Sequence, residues 1–167
     1  MTIMPGSALT NRVIGCAIEV HRTLGPGLLE SVYEACLCEE MAAAGLVFAR
    51  QQSLPVLYKG RTLNGHYQMD IVVEDALVLE IKAVHQVLPI HEAQLQTYLR
   101  LSGLFLGLVM NFNAPCMKEG IRRVIGPAAP WDGSSGDGAS PVHRARPVPP
   151  GEEGSAVAQN AECLDRS

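Results

Sequence analysis

Apolar residues set a helical rhythm at the start of the chain. Val13, Ile14, Ala17, Ile18 and Leu24, with His21 among them, recur at helical spacing, which predicts an amphipathic helix over residues 10–24 with Thr10 as its cap. Gly25-Pro26-Gly27 breaks it. A second helix is predicted over 28–44, where Leu29, Val32, Tyr33, Cys36, Leu37, Glu40, Met41 and Ala44 cluster with the same period and Gly45 is placed to end it. The pattern then changes to extended runs at 47–50 and 54–58, a turn at Lys59-Gly60-Arg61, and β-rich runs at 66–73 and 77–84. Leu88-Pro89 interrupts, and 91–101 returns to a helical pattern ending at Gly103. Residues 104–112 form a continuous apolar run of strand length, as expected of a strand covered on both faces, and 121–125 read as one more short strand. The predicted order is α, α, β, β, β, α, β: an α/β domain with a sheet flanked by helices.

Composition divides the chain near Gly126. Residues 126–167 hold six Gly, six Pro and five Ser with Trp131 as their one aromatic residue, so they bury too little apolar surface to offset the entropy of ordering. The reading is a folded domain over 1–125 followed by a disordered tail over 126–167. No apolar run reaches the roughly 18 residues of a membrane span, and the N-terminus lacks the basic and apolar regions of a secretory signal. Cytoplasmic location and no membrane partner are the expectation. Cys16, Cys36, Cys38, Cys116 and Cys163 are odd in number and irregular in spacing, which suits free thiols in a reducing compartment.

Two apolar runs flank Glu74-Asp75-Ala76 and predict a hairpin. Centring it on Asp75 puts Ile71, Val73, Leu77, Leu79 and Ile81 on one face; a slip of one residue would oppose Asp70 to Leu79 and mix the faces. The chosen register opposes Asp70 to Glu80 on the other face, with Lys82 two residues on. Directly opposed carboxylates repel. They survive through solvation, a shared proton or a cation between them. Mg²⁺ takes such oxygen ligands together with water and phosphate oxygens, and a neighbouring lysine would orient a metal-bound water or neutralise developing phosphate charge. The plainer alternative is a solvated hairpin surface on which Glu80 and Lys82 are ordinary charges.

Asp70-x₉-Glu80-x-Lys82 resembles the D…ExK signature of the PD-(D/E)XK nuclease superfamily, whose restriction-endonuclease-like core runs α-β-β-β-α-β with a mixed sheet flanked by helices. Gly27, Glu30 and Tyr33 within GPGLLESVY resemble the signature of the GxxExxY proteins placed in that superfamily. EVHRTLG before it, HEAQLQTYLRLSG from His91 to Gly103, and MNF at 110–112 are similar to the same family. The resemblance spans residues 10 to about 125. It implies a metal-dependent nuclease using Mg²⁺ or Mn²⁺ on nucleic acid, DNA favoured over RNA. It further implies Asp70, Glu80 and the backbone carbonyl of Ile81 as metal ligands, Lys82 as the catalytic lysine, and Glu30 as an accessory acid binding metal directly or through water. Gln94 and Tyr98 match a Q-x₃-Y helix that holds the lysine or the substrate phosphate. The segment NAPCMKEGIRRVI is longer than the pattern leads one to expect, which leaves Arg122 and Arg123 without a role carried over.

Each residue also has a structural reading. Gly27 as N-cap with Glu30 three positions on is half of a capping box. Tyr33 would pack in the core with its hydroxyl as a tether, and His21 would be a hydrogen-bonded core residue rather than a ligand. His66, His85 and His91 lack zinc-site spacing. Gln94 and Tyr98 share a helix face and would also suit the cap of a sheet edge. Lys118, Arg122 and Arg123 form a compact basic cluster, to be read as plain surface charge or, as the alternative, as a phosphate contact.

Charge speaks against a nucleic-acid partner. Residues 1–125 carry ten Lys/Arg against eleven Asp/Glu, and 126–167 carry three against six. A homodimer would supply a basic groove, though no residue demands one. The alternative function is therefore a catalytically silent nuclease-fold module that binds nucleic acid or a protein partner; action on another phosphate ester is a third.

Overall fold

The computed structural model describes residues 7–126 apart from Gly60. The tail, from 127 onward, lies outside the described residues, as do Gly60 in the predicted turn, Cys163 and the side chain of His66. The elements are α1 (Ser7–Leu24), α2 (Glu30–Ala43), β1 (Phe48–Tyr58), β2 (Arg61–Val73), β3 (Leu77–Lys82), α3 (Pro89–Ser102), β4 (Leu106–Asn111) and β5 (Ile121–Ile125). Their sheet has the order β1-β2-β3-β4-β5. All neighbours are antiparallel except β3 and β4, which run parallel. A parallel pair needs a crossover, and α3 supplies it. The architecture is the expected mixed sheet flanked by helices, of restriction-endonuclease-like type.

The two faces of the sheet bury separate clusters. Val13, Ala17 and Val20 of α1 and Tyr33, Leu37 and Met41 of α2 pack on Ile71, Val73, Leu77, Leu79 and Ile81. Leu95, Tyr98 and Leu99 of α3 pack on Val72, Val78, Val109 and Val124. The hairpin takes the register that its apolar face predicts: Val73 pairs with Leu77, Val72 with Val78 and Ile71 with Leu79. Glu74 and Asp75 both take positive φ, 52° and 49°, and the Ala76 N–H closes the turn onto the Val73 carbonyl at 3.0 Å. That is the backbone of a primed hairpin turn, whose twist matches its strands.

Several boundaries differ from expectation. Thr10 is not a cap: it lies inside α1 (Ser7–Leu24) and is fully buried. The predicted break at residues 51–53 does not interrupt β1, which runs through it with Gln51 at φ 47°. β2 starts at Arg61 rather than 66, paired with β1 from the turn, and β1 shifts register between Leu54 and Val56, around Pro55. Proline cannot donate to a ladder and sits where the ladder is already irregular. β3 stops at Lys82, two residues early.

Capping of α3 is local. Pro89 opens it, where a missing N–H costs nothing, and the His91 Nδ1 accepts from the Leu88 N–H at 3.1 Å. Gly107 lets α3 approach the sheet: a Cβ there would lie 2.9 Å from three atoms of the Leu95 side chain. Gly107→Val should therefore lower stability by about 1–3 kcal/mol through overpacking, read as a shifted urea midpoint at unchanged m-value.

Candidate active site

The end of β3 gathers charge. Ile81 points into the α1/α2 core, so its neighbours Glu80 and Lys82 lie on the other face, toward α3. The ladder with β2 ends at Ile71↔Leu79, one rung short of Asp70 and Glu80, and there the Ile81 N–H donates to Asp70 Oδ2 at 2.8 Å. Lys82 Nζ donates to Glu80 Oε1 at 2.6 Å. Glu80 is only 2% exposed, and its second oxygen, Oε2, is buried without a hydrogen-bond partner among the described residues.

Electrostatics follow from that geometry. Burial, and then the charge of Asp70, push the Glu80 carboxyl up to about 7 against the opposing pull of Lys82. Burial also raises Asp70, offset in part by the Ile81 N–H and Lys82, with Glu34 and Glu30 adding to the rise. Burial disfavours the Lys82 ammonium, but the hydrogen bond and charge of Glu80, joined by Glu30 and Asp70, outweigh it and hold the amine above its ordinary value. Three acids feel one lysine. The site is short of positive charge.

The flanking helices bring the remaining residues. Glu30 does not form the anticipated capping box: α2 starts at Glu30 itself, its N-cap is Leu29 with no side-chain cap, and Gly27 lies outside the helix. The Glu30 Oε1 instead accepts from the Ala83 N–H at 3.0 Å, tying the first turn of α2 to the strand end beyond Lys82. On the other face, Gln94 Nε2 donates to the Tyr98 hydroxyl at 2.6 Å. Burial raises Tyr98, with Gln94 opposing and Glu80 and Asp70 reinforcing the rise. Tyr33 is a tether, its hydroxyl donating to the Gly25 carbonyl at 2.6 Å and its ring stacked on Phe112 at 4.6 Å. The His21 Nε2 is hydrogen-bonded to the Ala114 carbonyl at 2.8 Å, as anticipated for a core histidine. Arg122 and Arg123 sit on β5, two strands away from β3, and are exposed.

Two contributors escaped sequence reading. Asn111, opposite Lys82 on β4, pairs its amide with the main chain of Val84 in both directions, at 3.0 and 2.9 Å, and so fixes the segment after the lysine. Glu34, one turn after Glu30 and 7% exposed, binds Arg50 and Gln51 of β1. The signal for Glu34 was an acid beside the buried Tyr33, on the same side of α2 as Glu30.

The profile of the PD-(D/E)XK nuclease superfamily matches residues 7–124. The chain belongs to that superfamily. No curated protein and no solved structure matches it. Members of the PD-(D/E)XK superfamily generally use divalent metals, and the residues here are of a kind to hold one. The donors are hard oxygens with no His or Cys, which suits a hard divalent ion rather than zinc, and the orphaned Glu80 Oε2 is a buried acceptor that a cation would satisfy. Among the described residues no group of three or more His, Cys, Asp or Glu side chains forms a metal cage. A paired Asp70 and Glu80 accords with an ion that keeps several waters.

A pH dependence follows for the metal-free protein. Because the folded-state value of Glu80 is raised from 4.5 to about 7, its contribution to stability is fully present below the unfolded value and is lost as pH rises through 7. Asp70 acts in the same direction. Thermal melts from pH 4.5 to 8 should show the metal-free chain losing up to about 3 kcal/mol, and Glu80→Gln should flatten most of that slope.

Proposed function

We propose that this chain is a metal-dependent nuclease that hydrolyses phosphodiester bonds, with DNA as the favoured polymer, and that it is a GxxExxY-type member of its superfamily. The observation that carries the reading is the buried Glu80 beside Asp70, held by a single lysine and with one oxygen unpartnered. A position that unfavourable serves a site, not solubility. Asp70, Glu80 and the Ile81 carbonyl would hold Mg²⁺ or Mn²⁺, with Glu30 as accessory acid; the ion, when bound, supplies Lewis-acid charge and lowers the pKa of water. Lys82 is the chain's own cation for phosphate: its ammonium is held on the side of β3 where Glu80 lies, in position to stabilise charge on a phosphoryl oxygen as the P–O bond to the leaving group breaks. Gln94 and Tyr98 orient groups from the α3 side.

Local charge answers the neutral total. From Phe48 to Met69, β1, the turn after it and β2 carry Arg50, Lys59 and Arg61 and no acidic residue at all. The two strands run beyond the rungs that β3 pairs with. With Arg50 held by Glu34, Lys59 and Arg61 at the tip make this a basic arm whose second strand runs on to Asp70, a fit for a phosphate backbone.

Asp70→Asn, Glu80→Gln and Lys82→Ala should each lower Mn²⁺-dependent cleavage of single- and double-stranded oligonucleotides by at least about 100-fold, with circular dichroism spectra unchanged. Cleavage untouched by all three substitutions would end the nuclease reading. No cleavage by the native chain and no heat on titration with Mn²⁺ would favour a silent binding module instead. Lys59→Ala together with Arg61→Ala should weaken oligonucleotide binding and reduce the slope of log K against log salt by roughly 1.5–2, measured by fluorescence anisotropy in EDTA.

A further inference from the structure

We propose that Glu34 is a positioning residue for Asp70, acting through the backbone of Gln51; the claim rests on the reading of Asp70 as a metal ligand. Side chains alternate along a regular strand, so residues two apart share a face. β2 breaks that rule at Asp70: Met69 packs in the α3 cluster, whereas Ile71 packs in the α1/α2 cluster. The break has a partner on β1. Arg50 pairs with Ile71 and Gln52 with Met69, and the Gln51–Asp70 rung between them is missing. Gln51 takes φ 47°, a left-handed conformation uncommon for a residue with a side chain and here found inside a strand rather than in a turn.

Glu34 holds Gln51 in that conformation. Its Oε2 accepts from Gln51 Nε2 at 2.9 Å and its Oε1 from Arg50 Nε at 3.1 Å, so both carboxylate oxygens grip the residues at the irregularity. With α2 anchored in the core by Tyr33, Leu37 and Met41, the grip is rigid. The consequence falls on the opposite strand: with the rung absent, the Asp70 carboxylate takes the Ile81 N–H just beyond the last rung of the β2–β3 ladder. α2 therefore serves the site twice, through Glu30 at the end of β3 and through Glu34 at the bend of β1.

The test separates clamp from charge. Glycine adopts positive φ without help, so Gln51→Gly should make Glu34 dispensable. The Ile81 amide reports the Asp70 position with no metal present, through its ¹H–¹⁵N shift and hydrogen exchange. Glu34→Ala should cut Ile81 protection and Mn²⁺ affinity by about tenfold each, and Glu34→Ala with Gln51→Gly should restore both to within about threefold. Should Glu34→Ala fold poorly, Glu34→Gln, which keeps an acceptor for Gln51, should retain the native Ile81 shift. An Ile81 amide indifferent to Glu34→Ala overturns the proposal, as does a double variant no better than the single one, since Glu34 would then act directly by its charge. If the native chain binds no Mn²⁺ while the amide pattern holds, the clamp stands and the nuclease reading falls.

Discussion

A buried Glu80 and a half-buried Asp70 at the meeting of β2 and β3 cannot both stay ionised without a cation, and the site is organised around that constraint. Glu80 is inside the protein because its strand is central: β2 lies on one side and β4 on the other, with helices over both faces. Asp70 is beside it because the hairpin register is dictated by the apolar face of Ile71, Val73, Leu77 and Leu79. Lys82 is the only cation of the β3 segment and is drawn to Glu80 at 2.6 Å. One core packing choice thus sets three charges against each other.

The surroundings restrain this cluster by main-chain contacts. Asp70 takes the Ile81 N–H, Glu30 the Ala83 N–H, and Asn111 both polar groups of Val84. Four consecutive residues after Glu80 are thereby held by side chains or by strand pairing, from α2, β2 and β4 at once. A site supported in this way has its geometry before any ligand arrives, which is the property electrostatic catalysis requires.

Positive charge lies elsewhere on the chain. The folded part carries nearly equal numbers of acids and bases, yet the acids concentrate on helices and at the site, while the β1–β2 arm has none between Phe48 and Met69. Net charge describes solubility and long-range attraction; contact with a backbone depends on where cations lie. Here Lys59 and Arg61 lie at the far tip of the arm, where Tyr58 pairs with Arg61, and Arg50 lies near its base, held by Glu34.

Periodicity by itself settled most of the architecture, since α1, α2, α3 and the strands each bury one apolar face or two, and a period of 3.6 or 2 cannot serve the other element. The hairpin register over residues 71–79, the buried Tyr33 and the hydrogen-bonded His21 were legible for the same reason, whereas the expected direct Asp70–Glu80 rung gives way to a bond from the Ile81 N–H to Asp70. Glu34, Gln51 and Asn111 were not, because their work is done across 16 to 27 residues of chain by single hydrogen bonds that leave no repeat to detect. The start of α2 misled for a related reason: Gly27 and Glu30 have capping-box spacing, but the helix begins where Tyr33 can reach the core, and only packing decides that. Spacing along a chain encodes which face is apolar; which polar group meets which main-chain N–H is decided when the layers close.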